Sequence, residues 1–91
     1  MKLKAKIQRI GQVETKQGRL GDYKTLGLML GFDDGGQRQS LYGTLFGTQI
    51  DTFAALDVDY SSEVEFDLVF TTAERNGWVS NYIELRNPRL V

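Results

Sequence analysis

The chain contains no cysteine and no histidine. The first absence excludes a disulfide framework and any thiolate metal site. The second removes the usual general base and the commonest metal ligand. Proline occurs once, at Pro88. No apolar run approaches the roughly 20 residues of a bilayer-spanning helix. The N-terminus alternates Lys2, Lys4 and Lys6 with apolar residues in place of a signal-peptide core. These absences point to a soluble, cytoplasmic, non-catalytic binding module with no cofactor, no metal and no membrane association.

What is present fits one globular domain over residues 1–91, with one small core: 41% of residues are hydrophobic and 25% charged. The formal net charge is only −1, which argues against a generic polycation. Its distribution is uneven. Residues 1–38 hold eight basic against four acidic residues, and residues 39–91 hold three against eight. If the fold keeps these halves on separate faces, one face attracts phosphates; otherwise the charges are ordinary solvated strand faces.

Leu3, Ala5 and Ile7 alternate with polar residues, the pattern of a half-buried strand. The apolar phase then shifts to Ile10 and Val13, which predicts a bulge or bend near Gly11. Thr15–Asp22 is polar with two glycines and reads as a mobile loop. A second strand follows over Tyr23–Phe32, with Leu26, Leu28, Leu30 and Phe32 on one face. Asp33-Asp34-Gly35-Gly36 signals a hairpin into a third strand, Arg38–Phe46.

At Gly47 the period changes. Ile50, Phe53, Ala54 and Leu56 recur at helical spacing, with Thr48 as the expected N-cap and Asp51 three residues on. Asp57–Ser62 is a polar link. Val64, Phe66, Leu68 and Phe70 then mark a fourth strand whose other face carries Glu63, Glu65 and Asp67. Asn76-Gly77 predicts a tight hairpin into a fifth strand, Trp78–Arg86, with Val79, Ile83 and Leu85 inward and Pro88 ending the pairing.

The order is β-β-β-α-β-β. Five short strands in one open sheet expose a face and two edges, and closing the sheet removes both problems. The expected fold is therefore all-β, a five-stranded OB-fold Greek-key barrel with a short α-helix between strands three and four. An SH3-like barrel is the structural rival, but it has no helical plug in mid-chain.

The segment LYGTLFGTQIDTFAALDVDYSSEVEFDLVF resembles the strand–helix–strand region of bacterial single-stranded-DNA-binding proteins. Phe46-Gly47 stands where that family has Trp-Gly, and Asn76-Gly77-Trp78 matches its polar-Gly-aromatic hairpin. The chain is more similar still to a group of small uncharacterised bacterial OB-fold proteins of this length. Tyr60–Val64 lacks the family's Lys-Gly turn, and no acidic, proline-tipped tail follows Val91, which speaks against a main replication-type role. The resemblance implies binding of single-stranded nucleic acid, DNA before RNA, by a homodimer or higher homo-oligomer.

Such binding needs aromatic faces for bases and cations for phosphates. Tyr23, Tyr42, Phe46, Trp78 and Tyr82 are the aromatic candidates outside the plain core pattern, and all but Phe46 are taken as site residues. Phe46, at a strand end beside the helix, is favoured as core. Lys16, Arg19, Lys24 and Arg38 are the candidate cations, because an OB-fold offers its first loop and second and third strands to the ligand. Each has a bland alternative: Trp78 suits a hydrophobic rim cap, Tyr23 and Tyr82 a subunit interface, and the cations simple solvation. Asp33-Asp34 and Asp57/Asp59 read as turn residues, and Gly18 and Gly21 lack the context of a phosphate-binding loop.

Two functions follow. One is non-catalytic binding of single-stranded nucleic acid with little sequence preference. The other is an OB-like protein-interaction or assembly module. Convergence of the four cations beside Tyr42 favours the first, and their scatter favours the second.

Overall fold

Two turns predicted from sequence set the register of two long hairpins. In the computed structural model, which describes residues 1–91, the strands are β1 (Lys2–Ile10), β2 (Glu14–Gly18), β3 (Gly21–Asp34), β4 (Gln37–Phe46), β5 (Glu63–Arg75) and β6 (Trp78–Leu90). One helix, α1 (Thr48–Ala55), lies between β4 and β5. Gly35 and Gly36, at φ 59° and 84°, join β3 to β4, with Asp34 opposite Gln37. Asn76 and Gly77, at φ 52° and 82°, join β5 to β6, with Arg75 opposite Trp78. Two consecutive positive φ angles give the turn whose twist matches the flanking strands.

The pairings run in a ring. β1 pairs with β5 through Lys2–Lys6 and with β3 through Lys6–Ile10. β5 pairs with β6, β3 with β4, and a single parallel bridge, Thr44 to Glu84, joins β4 to β6. One strand serves two neighbours because β1 bends at a bulge between Ile7 and Arg9. The sequence placed that bend near Gly11; it lies at Gln8, whose side chain covers Gly31 and accepts a 3.0 Å hydrogen bond from Ser40 Oγ.

Twelve buried hydrophobic residues form the core, including Ile7, Leu28, Leu30, Leu45, Val64, Phe66 and Leu85, with Ile50 and Phe53 of α1 packed in. The ring of Phe53 lies 6.3 Å from that of Phe66. The closure between β4 and β6 depends on a small residue. A Cβ at Gly43 would lie 2.7 Å from both Cγ and Cδ2 of the fully buried Leu85.

Several expectations need correction. Thr15–Asp22 is not a loop: β2 pairs with β3 from Glu14 opposite Thr25 to Gly18 opposite Gly21, which makes six strands. Its residues are all exposed, so no apolar alternation announces it. Thr48 does not cap α1; Gly47, at φ 56°, holds that position and no side chain caps the helix. Ala54 is exposed and only Ile50 and Phe53 are buried on α1. Pro88 does not end β6. Asn87 and Pro88 sit in a bulge opposite Phe66, and pairing resumes at Arg89 and runs to Leu90. A bulge leaves a ladder position unpaired, so the missing N–H of proline is tolerated there.

Phe70 and Val79 are exposed, not core. Residues 71–82 are exposed throughout, so the distal halves of β5 and β6 project as a two-stranded arm.

The basic and acidic halves of the chain are not segregated. Lys2, Lys4 and Lys6 lie directly opposite Asp67, Glu65 and Glu63. On the other flank, Arg89 binds Glu65 at 2.6 Å and Asp67 at 3.0 Å. The acidic stripe thus lies between cations on both flanks, and the Lys2–Lys6 stretch of β1 is not a purely basic face.

A hydrogen bond from Asn87 Nδ2, 2.8 Å away, and one from Arg89 hold the Asp67 carboxyl below its ordinary range. A depressed folded-state value stabilises the fold above the unfolded value and loses that contribution as pH falls through the folded one. Asp67→Asn should therefore flatten the loss of thermal stability between neutral pH and pH values below the ordinary carboxylate range. Identical pH profiles for the two proteins in thermal melts would refute the linkage.

Candidate nucleic-acid interface

On β3, side chains alternate between core and outer surface. Leu26, Leu28 and Leu30 take the inner positions, which leaves Tyr23, Thr25, Gly27 and Met29 outward. The β3–β4 register places Thr25 beside Phe46, Gly27 beside Thr44 and Met29 beside Tyr42. The β2–β3 register adds Lys16 beside Tyr23 and Glu14 beside Thr25. An open cleft of about 840 Å³ forms where this surface meets the root of the β5–β6 arm. Tyr23, Tyr42, Phe46 and Tyr82 are its aromatic lining, separated by Thr25, Gly27, Thr44 and Thr71.

Two glycines set the poses of two of the tyrosines. Tyr42 leans over Gly27 so closely that a Cβ there would overlap its phenol hydroxyl and crowd the adjoining ring edge. Tyr23 leans over Gly18, with its Cε1 3.0 Å from where a Cβ would stand. The Tyr23 and Phe46 rings lie 6.2 Å apart with their planes tilted by 36°, a favourable aromatic arrangement. Tyr42 remains 62% exposed and Tyr82 57%, so both keep ring surface open to a ligand.

The charges are mixed. Lys16 Nζ lies 3.9 Å from a carboxylate oxygen of Glu14. Glu84 accepts a 2.6 Å hydrogen bond from Arg86 Nε, which raises the guanidinium's already high pKa and leaves Glu84 with a bound counter-charge. No group of three or more acidic side chains gathers in a way that could hold a metal ion. No helix is long and apolar enough to cross a membrane.

Of the eight residues singled out from sequence, Lys16, Tyr23, Tyr42 and Tyr82 meet in this cleft. Trp78, 79% exposed, lies on the arm in a shallower depression with Arg75 and Ser80, which Tyr82 also borders. The other three cations are elsewhere. Arg19 stands in the turn between β2 and β3, exposed. Lys24 takes the other phase of the β3 alternation and lines a separate depression with Thr48 and Asp51, which Tyr23 also borders. Arg38 lies opposite Asp33 in the β3–β4 ladder beside the turn, four residues and so roughly 13 Å along the strand from Tyr42. The expected cluster of four cations does not form.

Two residues outside the eight belong with the site, one weighed from sequence but favoured as core and one not considered there. Phe46, favoured as core, is 36% exposed and forms part of the cleft wall. Arg9, exposed, lies across β1 and β3 in the row Arg9–Met29–Tyr42. The shift in apolar phase after Ile7 was the available signal for Arg9, but with the bend assigned to Gly11 it could not be placed.

No protein-family model matches this chain, and no curated protein sequence is significantly similar to it.

Proposed function

We propose that this chain is an OB-fold Greek-key barrel of the kind found in single-stranded-DNA-binding proteins, and that it binds single-stranded nucleic acid, DNA before RNA, without catalysis. The all-β ring with a helix between β4 and β5 supports the fold; the added hairpin strand β2 elaborates the loop before the barrel's second strand. One observation carries the function: the Tyr23–Phe46 pair, Tyr42 and Tyr82 border one open cleft between the β3–β4 surface and the root of the β5–β6 arm, with Gly and Thr between these three aromatic faces. Separate ring faces suit bases taken one at a time with little sequence preference, each contributing ~1–3 kcal/mol.

The scatter of the cations reshapes this reading. Lys16 and Arg9 flank the aromatics, and Arg19 stands at the end of the adjacent hairpin. Binding then depends mainly on stacking, with about one to three phosphate contacts. For single strands each contact contributes a slope of about −0.7 in log K against log salt, so the expected slope is shallow, between roughly −0.7 and −2. Anisotropy of a labelled oligothymidine titrated with the protein over a range of salt measures it. Absence of binding at low salt would end the proposal, and a much steeper slope would place the contacts elsewhere.

The same scatter favours the second reading, an OB-like assembly module that binds no nucleic acid, and on the cation criterion alone that reading leads. The charged part of the lining weighs against it, because the core of a protein interface is depleted of charge, whereas Glu14, Lys16 and Glu84 all line this cleft.

A further inference from the structure

Several strands leave part of an edge without a partner: β5 meets β1 only through Glu63–Asp67, so that edge is free from Val69 to Arg75. β2 pairs only with β3, but it is five residues long and carries Glu14 and Lys16. β4 meets β6 only at Thr44, which leaves its edge free from Gln37 to Gly43, a segment that includes Arg38. β6 pairs with β5 along one edge, while the other meets β4 only at Glu84. From Trp78 to Ile83 that second edge has no strand beside it, and no backbone hydrogen bond outside the ladders involves these residues.

The β6 segment, Trp78-Val79-Ser80-Asn81-Tyr82-Ile83, differs from the β5 stretch Val69-Phe70-Thr71-Thr72-Ala73, which is also uncharged, in placing two aromatic residues on one face. Its lack of charge sets it apart from β2 and β4. It contains no charged residue and no proline, the usual guards of an exposed edge, and four of its six residues are strong strand formers. Trp78, Val79 and Tyr82 are all more than half exposed. An uncharged edge can meet its own copy without like-charge repulsion, which the β4 edge with Arg38 cannot.

We propose that the β6 edge is an interface between two copies of this chain, which pair antiparallel about a two-fold axis at Ser80. A two-fold axis normal to the sheet keeps each residue on its own face, so the axis must pass through a residue and not between two. Centring on Ser80 sets Trp78 opposite the partner's Tyr82, twice, an aromatic cross-strand pair of the kind that stabilises sheets. It uses only Trp78–Tyr82 and leaves Glu84 to its bridge with Thr44. Centring on Asn81 would set Trp78 opposite Glu84 and compete with that bridge. The pairing is isologous, so it closes at a dimer. It does not depend on nucleic-acid binding.

The register makes a specific test available, because Ser80 meets its own copy at the axis. Sedimentation equilibrium of the wild type, Ser80→Lys, Ser80→Glu and an equimolar mixture of the two variants reads it directly. The wild type is expected to sediment as a pair of 10.3 kDa chains. Each variant alone should weaken association at least tenfold, and mixing them should restore it. Wild-type protein that stays monomeric at high concentration would overturn the proposal and leave the edge to a different polypeptide. Dimers of Ser80→Lys as tight as the wild type, or a mixture no tighter than its components, would overturn the interface or its register. If both variants unfold, dilution of the wild type decides: Trp78 emission should shift to the red as the dimer dissociates, and emission independent of concentration refutes the pairing.

Discussion

Replacing Tyr42 with alanine should weaken binding of oligothymidine by roughly 5- to 150-fold, the equivalent of ~1–3 kcal/mol for a lost stacking face. Tyr42 sits at the middle of the β3–β4 surface, and its ring is held by contact with the backbone at Gly27. Tyr42→Phe should retain most of the affinity, because stacking uses the ring and not the hydroxyl. The Gly27 contact provides an independent handle. Gly27→Ala puts a methyl group where the Tyr42 phenol lies, so it should displace the ring and weaken binding in the wild-type background. In a Tyr42→Ala background the same change should have little further effect on affinity, since there is no ring left to displace. Additive losses would mean that Gly27 acts through something other than Tyr42. Equal affinity of Tyr42→Ala and wild type would remove Tyr42 from the site.

Gly43→Ala should be the most damaging single-methyl change to stability. The added Cβ meets Cγ and Cδ2 of Leu85 at 2.7 Å, and the branch point of a fully buried leucine cannot swing aside as the end of an exposed chain can. Overpacking of this kind costs about 1–3 kcal/mol. For a domain of this size that lowers the melting midpoint by roughly 5–20 °C. The site also lies next to the single bridge that joins β4 to β6, so the strain falls where the ring has least support. Combining Gly43→Ala with Leu85→Val returns a methylene of space. The double variant should be more stable than the sum of its two single losses predicts, and strict additivity in thermal melts would show that the two side chains do not compete.

The elements legible in the sequence were those with a period or a turn signature. The Leu26-Leu28-Leu30 and Val64-Phe66-Leu68 alternations, the helical spacing of Ile50 and Phe53, and the two hairpins at Gly35-Gly36 and Asn76-Gly77 all appear in the structure. The strand β2 was illegible because it buries nothing: a solvated hairpin strand has no apolar alternation to display. Phe70 and Val79 were misread for the opposite reason. They continue the apolar alternation beyond the end of the core, onto an arm with no packing partner. Residue type favours Thr48 as the N-cap of α1, but Gly47 takes that position with a positive φ that favours glycine, and Thr48 is the first helical residue.

Part of the site was legible as well. Outward positions on β3 and β4 follow from alternation, which is why Tyr23 and Tyr42 were found. The grouping of the cations was not legible, because it depends on non-local register. Lys24 is next to Tyr23 on β3 and so takes the other phase of the alternation, outside the main cleft, and Arg38 shares a strand with Tyr42 at too great a distance. The neutralisation of β1 was likewise hidden, since Lys2, Lys4 and Lys6 meet their acidic partners across some sixty residues of chain.

Backbone amide chemical shifts followed by NMR during addition of an oligothymidine of about 15 nucleotides test the central claim most directly. The account predicts shifts concentrated at Lys16, Tyr23, Thr25, Gly27, Tyr42, Thr44 and Phe46, with smaller ones at Arg9 and Tyr82. Lys2, Lys4, Glu65 and Arg89, on the neutralised face of β1, β5 and β6, should stay unmoved. Shifts centred on that face, or none at saturating oligonucleotide, would contradict it.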